Sequence, residues 1–160
     1  MPDWLREILT VAVAAVITAA LLGFLRSRGA RARRAALRAG TPLKFDAFLR
    51  ADTAPYPRRW RLGWLMTGVG PPMWKPRFSL LRRPLDLPVS ATVEQIRRVA
   101  GLRETVFVNP ECRIIVARAG NVNLELALME IDVITALQAL DSGSGGGWRV
   151  PVPTTIEEMA

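Results

Sequence analysis

Eighteen consecutive residues, Ile8 to Leu25, carry no charge, and they run directly into Arg26, Arg28, Arg31, Arg33, Arg34 and Arg38. As a helix rising about 1.5 Å per residue, the run measures roughly 27 Å, close to the hydrocarbon thickness of a bilayer. A segment of this length and polarity spans a membrane, is removed, or is buried on all sides. A secretory leader needs a basic start and a small-residue cleavage site, whereas here Asp3 and Glu7 outweigh Arg6 and the arginines come afterwards. A buried soluble helix normally shows a polar face, yet only Thr10 and Thr18 interrupt the run, and a threonine hydroxyl can bond its own helix backbone. The reading is a short flank and a single transmembrane helix over residues 1–25, followed by an arginine-rich juxtamembrane stem over residues 26–44.

The flanking charges orient the span. Asp3, Arg6 and Glu7 sum to minus one, while residues 26–44 hold seven cations and no anion, which keeps that side in the cytoplasm. The expected location is the plasma membrane, with the N-terminus outside and the remaining domain cytoplasmic. The stem supplies plus seven of the net plus eight, and from Phe45 onward fourteen cations meet twelve anions. The basicity therefore belongs to one patch beside the membrane, where arginines are drawn to anionic lipid head groups. No recognition fold accompanies them, which argues against nucleic acid as a partner. Trp4 suits an interfacial anchor at the other end of the helix. Within the span, Ala15, Ala19 and Gly23 form a stripe of small residues, a candidate surface for helix association, although alanine is common throughout the chain.

Residue usage narrows the chemistry. Histidine is absent, which removes the usual general base and the commonest metal ligand. Cys112 is the single cysteine, so no disulfide, zinc pair or redox dithiol can form within the chain. It alternates with Ile114 and Val116 and reads as a buried apolar residue. No phosphate-binding loop occurs, and the glycines from Gly143 to Gly147 lead into no helix. No cofactor and no metal are implied.

Residues 45–141 are long enough for one small domain, and their pattern is mostly period two. Trp60, Leu62, Trp64 and Met66 alternate with Arg59, Arg61, Gly63 and Leu65, which predicts a strand with its tryptophans on the apolar face. Trp74 and Phe78 oppose Lys75 and Arg77, with Gly68, Gly70, Pro71 and Pro72 marking the turn of a hairpin. Phe45 to Leu49, Leu85 to Ala91, Thr105 to Val108, Cys112 to Ala117 and Val122 to Leu128 bring the total to about seven strands. Glu94 to Val99 adds a helical turn. The period then changes: Ile131, Ile134, Leu137 and Leu140 share one helical face before Asp141 and a glycine-rich break. About seven antiparallel strands followed by a C-terminal helix is the element order of a pleckstrin-homology-like barrel, in which the helix caps one open end. Residues 142–160 form a Gly-rich linker and a flexible tail. The extended Trp148 to Pro153 segment is also suited to adding a strand to a partner.

With Trp60-Arg61-Leu62-Gly63, Trp74, Arg77-Phe78-Ser79-Leu80, Arg83-Pro84 and Leu124-Glu125-Leu126-Ala127 in this order, residues 1–141 resemble the actinobacterial family called domain of unknown function 2550. That resemblance implies small single-pass membrane proteins with no assigned activity. Twenty of the twenty-two cations are arginine, a bias expected of a GC-rich genome.

Three functions compete. The favoured one is a non-catalytic binding or scaffold module that holds a membrane or cytoplasmic protein partner at the bilayer. Its candidate surface comprises Arg58, Arg59, Arg61, Lys75 and Arg77, joined by Arg82 and Arg83. The alternative is anionic phospholipid binding, with Arg50, Arg58 and Arg59 flanking the Pro55-Tyr56-Pro57 loop. The third is a carboxylate-dependent enzyme drawing on Asp46, Asp52, Glu94, Glu104, Glu111, Glu125, Glu130 or Asp132. Of these, Glu125 is singled out, because it lies on the strand face opposite Leu124 and Leu126.

Overall fold

The computed structural model describes residues 3–68, 70–78, 83–143 and 147–149. A long helix, α1 (Asp3–Arg38), leads into β1 (Leu43–Ala51), β2 (Arg61–Thr67), β3 (Met73–Pro76), β4 (Leu85–Asp86) and β5 (Ala91–Arg98). Then come α2 (Leu102–Thr105), β6 (Cys112–Ala119), β7 (Val122–Met129), α3 (Glu130–Gly143) and β8 (Trp148–Arg149). α1 is unbroken for 36 residues. It stops at Gly40, whose φ of 65° suits the left-handed turn after a helix. There the Thr41 N–H donates to the Ala36 carbonyl and the Gly40 N–H to the Leu37 carbonyl, and Pro42 follows. Among the described residues, no helix is long and apolar enough to cross a membrane. Most side chains of residues 8–25, with those of Ala19, Gly23 and Arg26, lie outside the described residues, and the expected span falls there.

The eight strands form one sheet in the order β4-β3-β2-β1-β7-β6-β5-β8. All neighbours pair antiparallel except β5 and β8, which run parallel. Chain connectivity forces this sheet to curl. Six strand spacings separate β4 from β5, about 29 Å if flat. Only residues 87–90 join the two strands, and they reach at most about 18 Å. The sheet therefore closes into a half-barrel, and its seam is stitched by hydrogen bonds. The Trp148 indole N–H donates to the Pro88 carbonyl at 2.9 Å. Tyr56 Oη–H reaches the Asp86 carbonyl at 2.8 Å, and the Leu87 N–H reaches the Pro72 carbonyl at 2.7 Å. Trp148, expected in the tail, is thus fully buried beside β5. By pairing register Arg149 directs its N–H and carbonyl towards β5.

Inside the half-barrel, Phe45, Leu49, Leu65, Trp74, Leu124, Leu126 and Leu128 pack against α3 through Val133, Ala136, Leu137 and Leu140. A second cluster lies on the outer face, where Trp60, Val108, Cys112, Ile114 and Ala127 are buried together. Cys112 is buried as its alternation predicts, and burial pushes its thiol up to about 11.

Five local expectations need correction. In β2 the period is right and the phase is inverted: Gly63, Leu65 and Thr67 point inward, while Leu62, Trp64 and Met66 are half-buried on the outer face. The reason is Gly63. A side chain there would collide with the Trp74 indole and the Lys75 carbonyl, so its bare backbone is what Trp74 lies across. Trp74 also donates to the Ala47 carbonyl at 3.3 Å. Phe78, expected in the core with it, lies beyond the end of β3 and is 85 % exposed.

Glu94 to Arg98 is strand rather than helix, because β5 pairs with β6 from Thr92 to Arg98, with an irregularity between Val93 and Gln95. Thr105 to Val108 is not a strand. Gly101, at φ 78°, turns the chain into α2, and the Glu104 carboxylate accepts the Ala100 N–H at 3.1 Å, folding the segment back over the outer face. Finally, α3 buries a different stripe from the one its leucine and isoleucine spacing suggests. Leu137 and Leu140 face inward as expected, but Ile131 and Ile134 are exposed. The helix is held through Asp132 by Arg33, which also stands over the Phe45 ring, contacts between distant parts of the chain.

Candidate functional site

The stem is fastened to the domain where it meets it. Gly29, Arg33, Ala36 and Leu37 recur at three- and four-residue spacing and occupy one face of α1. Ala36 and Leu37 pack on the main core. Arg33 donates from Nε at 2.9 Å and from Nη2 at 2.6 Å to Oδ1 of Asp132 in α3, with its guanidinium 5.9 Å from the Phe45 ring centre. Asp132 is mostly buried, and Arg33 is the partner that offsets the desolvation of a carboxylate there. Arg28, Arg31, Arg34 and Arg38 stay exposed. Beside the junction lies a cavity of about 330 Å³, lined by Gly29, Arg33, Lys44, Asp46, Met129, Ile131 and Asp132. On the neighbouring outer face the Lys44 ammonium stands 3.7 Å from the Trp64 ring centre.

The residues expected to share one basic surface divide between two. Lys75 and Arg77 are exposed at the outer edge, where Lys75 is opposite Trp64 and Arg77 Nη1 lies 3.5 Å from Asp46. Arg61 has the inward phase of β2 and sits at the barrel mouth farther from the stem. There it lines a cavity of about 280 Å³ with Tyr56, Pro57, Trp74, Pro76 and Arg83. Arg58 and Arg59 are exposed on the adjoining loop. Arg82 falls outside the described residues.

The candidate carboxylates lie beside arginines or in turns. Glu104 accepts from Arg97 at 2.7 and 2.8 Å and lies 3.5 Å from Arg50. Glu125 accepts from Arg50 at 2.5 Å and is 3.5 Å from Arg97. These four side chains form an alternating charge cluster beneath α2, with the Arg50 guanidinium 4.7 Å from the Trp60 ring centre. The Arg97 hydrogen bonds, helped by the Ala100 N–H, bring the Glu104 carboxyl down to about 2, and they raise Arg97 in return. Glu130 is lowered by its bond from Arg113, at 2.6 Å. Asp52 is lowered by Thr53 and Asn123 in a turn. Glu94 pairs with Arg118 at 2.8 Å. Among the described residues, no group of three acidic or cysteine side chains is placed to hold a metal ion.

Sequence reading missed the Arg33–Asp132 bond and the placement of Arg83. The first joins residues 99 apart, and nothing in local pattern marks it. The fold defines a curled, mainly β domain with a C-terminal helix, entered by a long N-terminal helix. No family model, curated protein or solved structure matches the chain.

Proposed function

We propose that the chain is a single-pass, membrane-anchored, non-catalytic binding or scaffold module, holding a pleckstrin-homology-like β domain at the inner surface of the plasma membrane. One observation carries the reading: the uncharged run lies within an unbroken 36-residue helix whose far end is bonded to the domain through Arg33 and Asp132. Ile8, Val13, Val16 and Ile17 stand exposed on that helix, as expected where lipid replaces water. Seven antiparallel strands in barrel order, with α3 packed inside the curve, support the finer fold assignment. Membership of the actinobacterial family and a cytoplasmic domain belong to the same proposal. In-cell crosslinking of the intact protein followed by mass spectrometry should recover a reproducible protein partner, and recovery of lipid alone would overturn the scaffold reading. Labelling of cysteines introduced on the domain should require permeabilised cells; labelling from outside would reverse the orientation.

A second reading, anionic phospholipid binding, is favoured by the cavity that Arg61 and Arg83 line without a carboxylate among its lining residues. Its geometry is less favourable, because the nine residues of β1 place this mouth about 27 Å from the stem junction. Titrating the full chain in neutral nanodiscs with a soluble inositol polyphosphate tests it. Saturable binding lost in Arg61→Ala and Arg83→Ala would establish that site, and no binding would dismiss it.

A further inference from the structure

We infer that the stem-side rim of the half-barrel is itself a membrane-contacting surface, with Val106 and Phe107 on one side and Ile131 and Ile134 on the other seated in the head-group layer of an anionic bilayer. The inference rests on the membrane anchor proposed above and extends it from the helix to the folded domain.

Length is the first argument. The uncharged run ends at Leu25, and Gly29, which already lines the junction cavity with Met129 and Ile131, follows only four residues later. That is about 6 Å along a helix, while each head-group layer is roughly 5–8 Å thick. Arg33, bonded to Asp132, lies about 12 Å beyond Leu25. The helix is continuous through this stretch, so no flexible spacer lets the domain stand away from the lipid.

Topology decides which side chains lie there. The start of β6, the end of β7 and the end of β5 meet at this rim, as the pairs Cys112 with Met129 and Arg98 with Arg113 show. The loop carrying Val106 and Phe107 leaves this rim after Arg98, crosses the outer face, and returns to the rim at Glu111, whose carbonyl accepts the Glu130 N–H at 3.2 Å. Val106, Phe107, Ile131 and Ile134 are all exposed, at 74, 59, 38 and 60 %. Buried isoleucine stripes are ordinary in a terminal helix; exposed ones beside a stem of arginines are not.

Charge supplies the third argument. Arg28, Arg31, Arg34, Lys44, Arg98 and Arg103 are near these apolar side chains in the chain or the sheet, and have no ion pair among the described residues. Of the rim's acids, Asp46, Asp132 and Glu130 lie beside Arg77, Arg33 and Arg113, and Glu111 adds a further carboxylate next to Cys112. Apolar side chains near cations that hold no ion pair among the described residues match an anionic interface, where the rings and branches enter the acyl boundary and the guanidinium groups meet phosphates.

The test uses the full chain in vesicles of phosphatidylcholine and phosphatidylglycerol, with an environment-sensitive fluorophore on one introduced cysteine at a time. Phe107→Cys and Ile134→Cys report the rim, Phe78→Cys the far mouth, and Ile17→Cys the span. Native Cys112 does not compete, being buried with its thiol pushed up to about 11. Head-group quenchers should reduce emission at positions 107 and 134 severalfold more than at 78, while acyl-chain quenchers act at 17. If 17 is quenched and 107 and 134 behave like 78, the rim contact is refuted and the anchor stands. If 17 is not quenched by acyl-chain probes, the anchor fails and the inference falls with it. If 107 and 134 are shielded equally in detergent, with energy transfer between copies, a second copy covers the rim and the inference is overturned.

Discussion

Replacing Glu104 by glutamine should show how strongly the outer-face charge cluster holds the segment that carries Val106 and Phe107. In the folded chain the Glu104 carboxyl titrates at about 2 against an ordinary 4.5, chiefly because Arg97 donates two hydrogen bonds to it. Each pK difference of one corresponds to about 1.4 kcal/mol, so the ionised form is favoured by about 3 kcal/mol in the native state. Because the native pKa is the lower one, the unfolded chain binds the proton more readily. This contribution is therefore complete above about pH 4.5 and is lost as pH falls towards 2. Glu104→Gln keeps the shape but removes the charge, leaving Arg97, 26 % exposed, without its main partner. The expected loss at pH 7 is about 2–3 kcal/mol. Urea unfolding of the full chain in a non-ionic detergent, followed by tryptophan fluorescence at pH 7 and at steps down to pH 2, measures both effects. The variant should be less stable at pH 7 and show a flatter decline below pH 4.5. Equal stability at pH 7, or an unchanged acid slope, would refute the argument that this carboxylate is held ionised by the cluster.

The remaining predictions concern packing and the stem. Gly63→Ala should destabilise the domain by about 2–4 kcal/mol in the same urea assay, because the added methyl meets the Trp74 indole and the Lys75 backbone. Phe78→Ser should change stability by less than about 0.5 kcal/mol, whereas Trp74→Ala should cost about 3–5 kcal/mol, a contrast that contradicts their equivalence in sequence pattern. Asp132→Ala should cost about 1–3 kcal/mol by leaving Arg33 unpaired, and spin labels placed on α1 and α3 should show a broadened distance distribution. An unchanged narrow distribution would mean that Ala36 and Leu37 alone hold the stem.

These contrasts follow the division between local and distant causes. The uncharged run, the arginine stem and the order of strands are written in nearest-neighbour patterns, so β1, β6, β7 and α3 fall close to where alternation and the later helical period put them. A period of two says that faces alternate, but which face is inward depends on what arrives from elsewhere. At β2 the answer was set by Trp74 crossing Gly63, a contact that no residue of β2 announces. The same holds for α2: Thr105 to Val108 has the composition of a strand, but Gly101 and the grip of Arg97 on Glu104 fold it back before it can pair.

By itself, then, the sequence determined an N-terminal helix with one charged end, a nearly neutral β-rich domain, and a closing helix, because hydrophobic length, charge and periodicity act within a few residues of their cause. Only the tertiary structure decided that the sheet curls. The four residues between β4 and β5 are too short to cross a flat sheet, and that limit appears only once the strand order is known. Tertiary contacts also decided that Trp148 completes the seam, that Ile131 and Ile134 face outward, and that Arg33 of the stem turns to Asp132 while Arg28, Arg31, Arg34 and Arg38 stay exposed. Each of these depends on side chains brought together from distant parts of the chain, where packing volume and the desolvation of a buried charge outweigh any local preference.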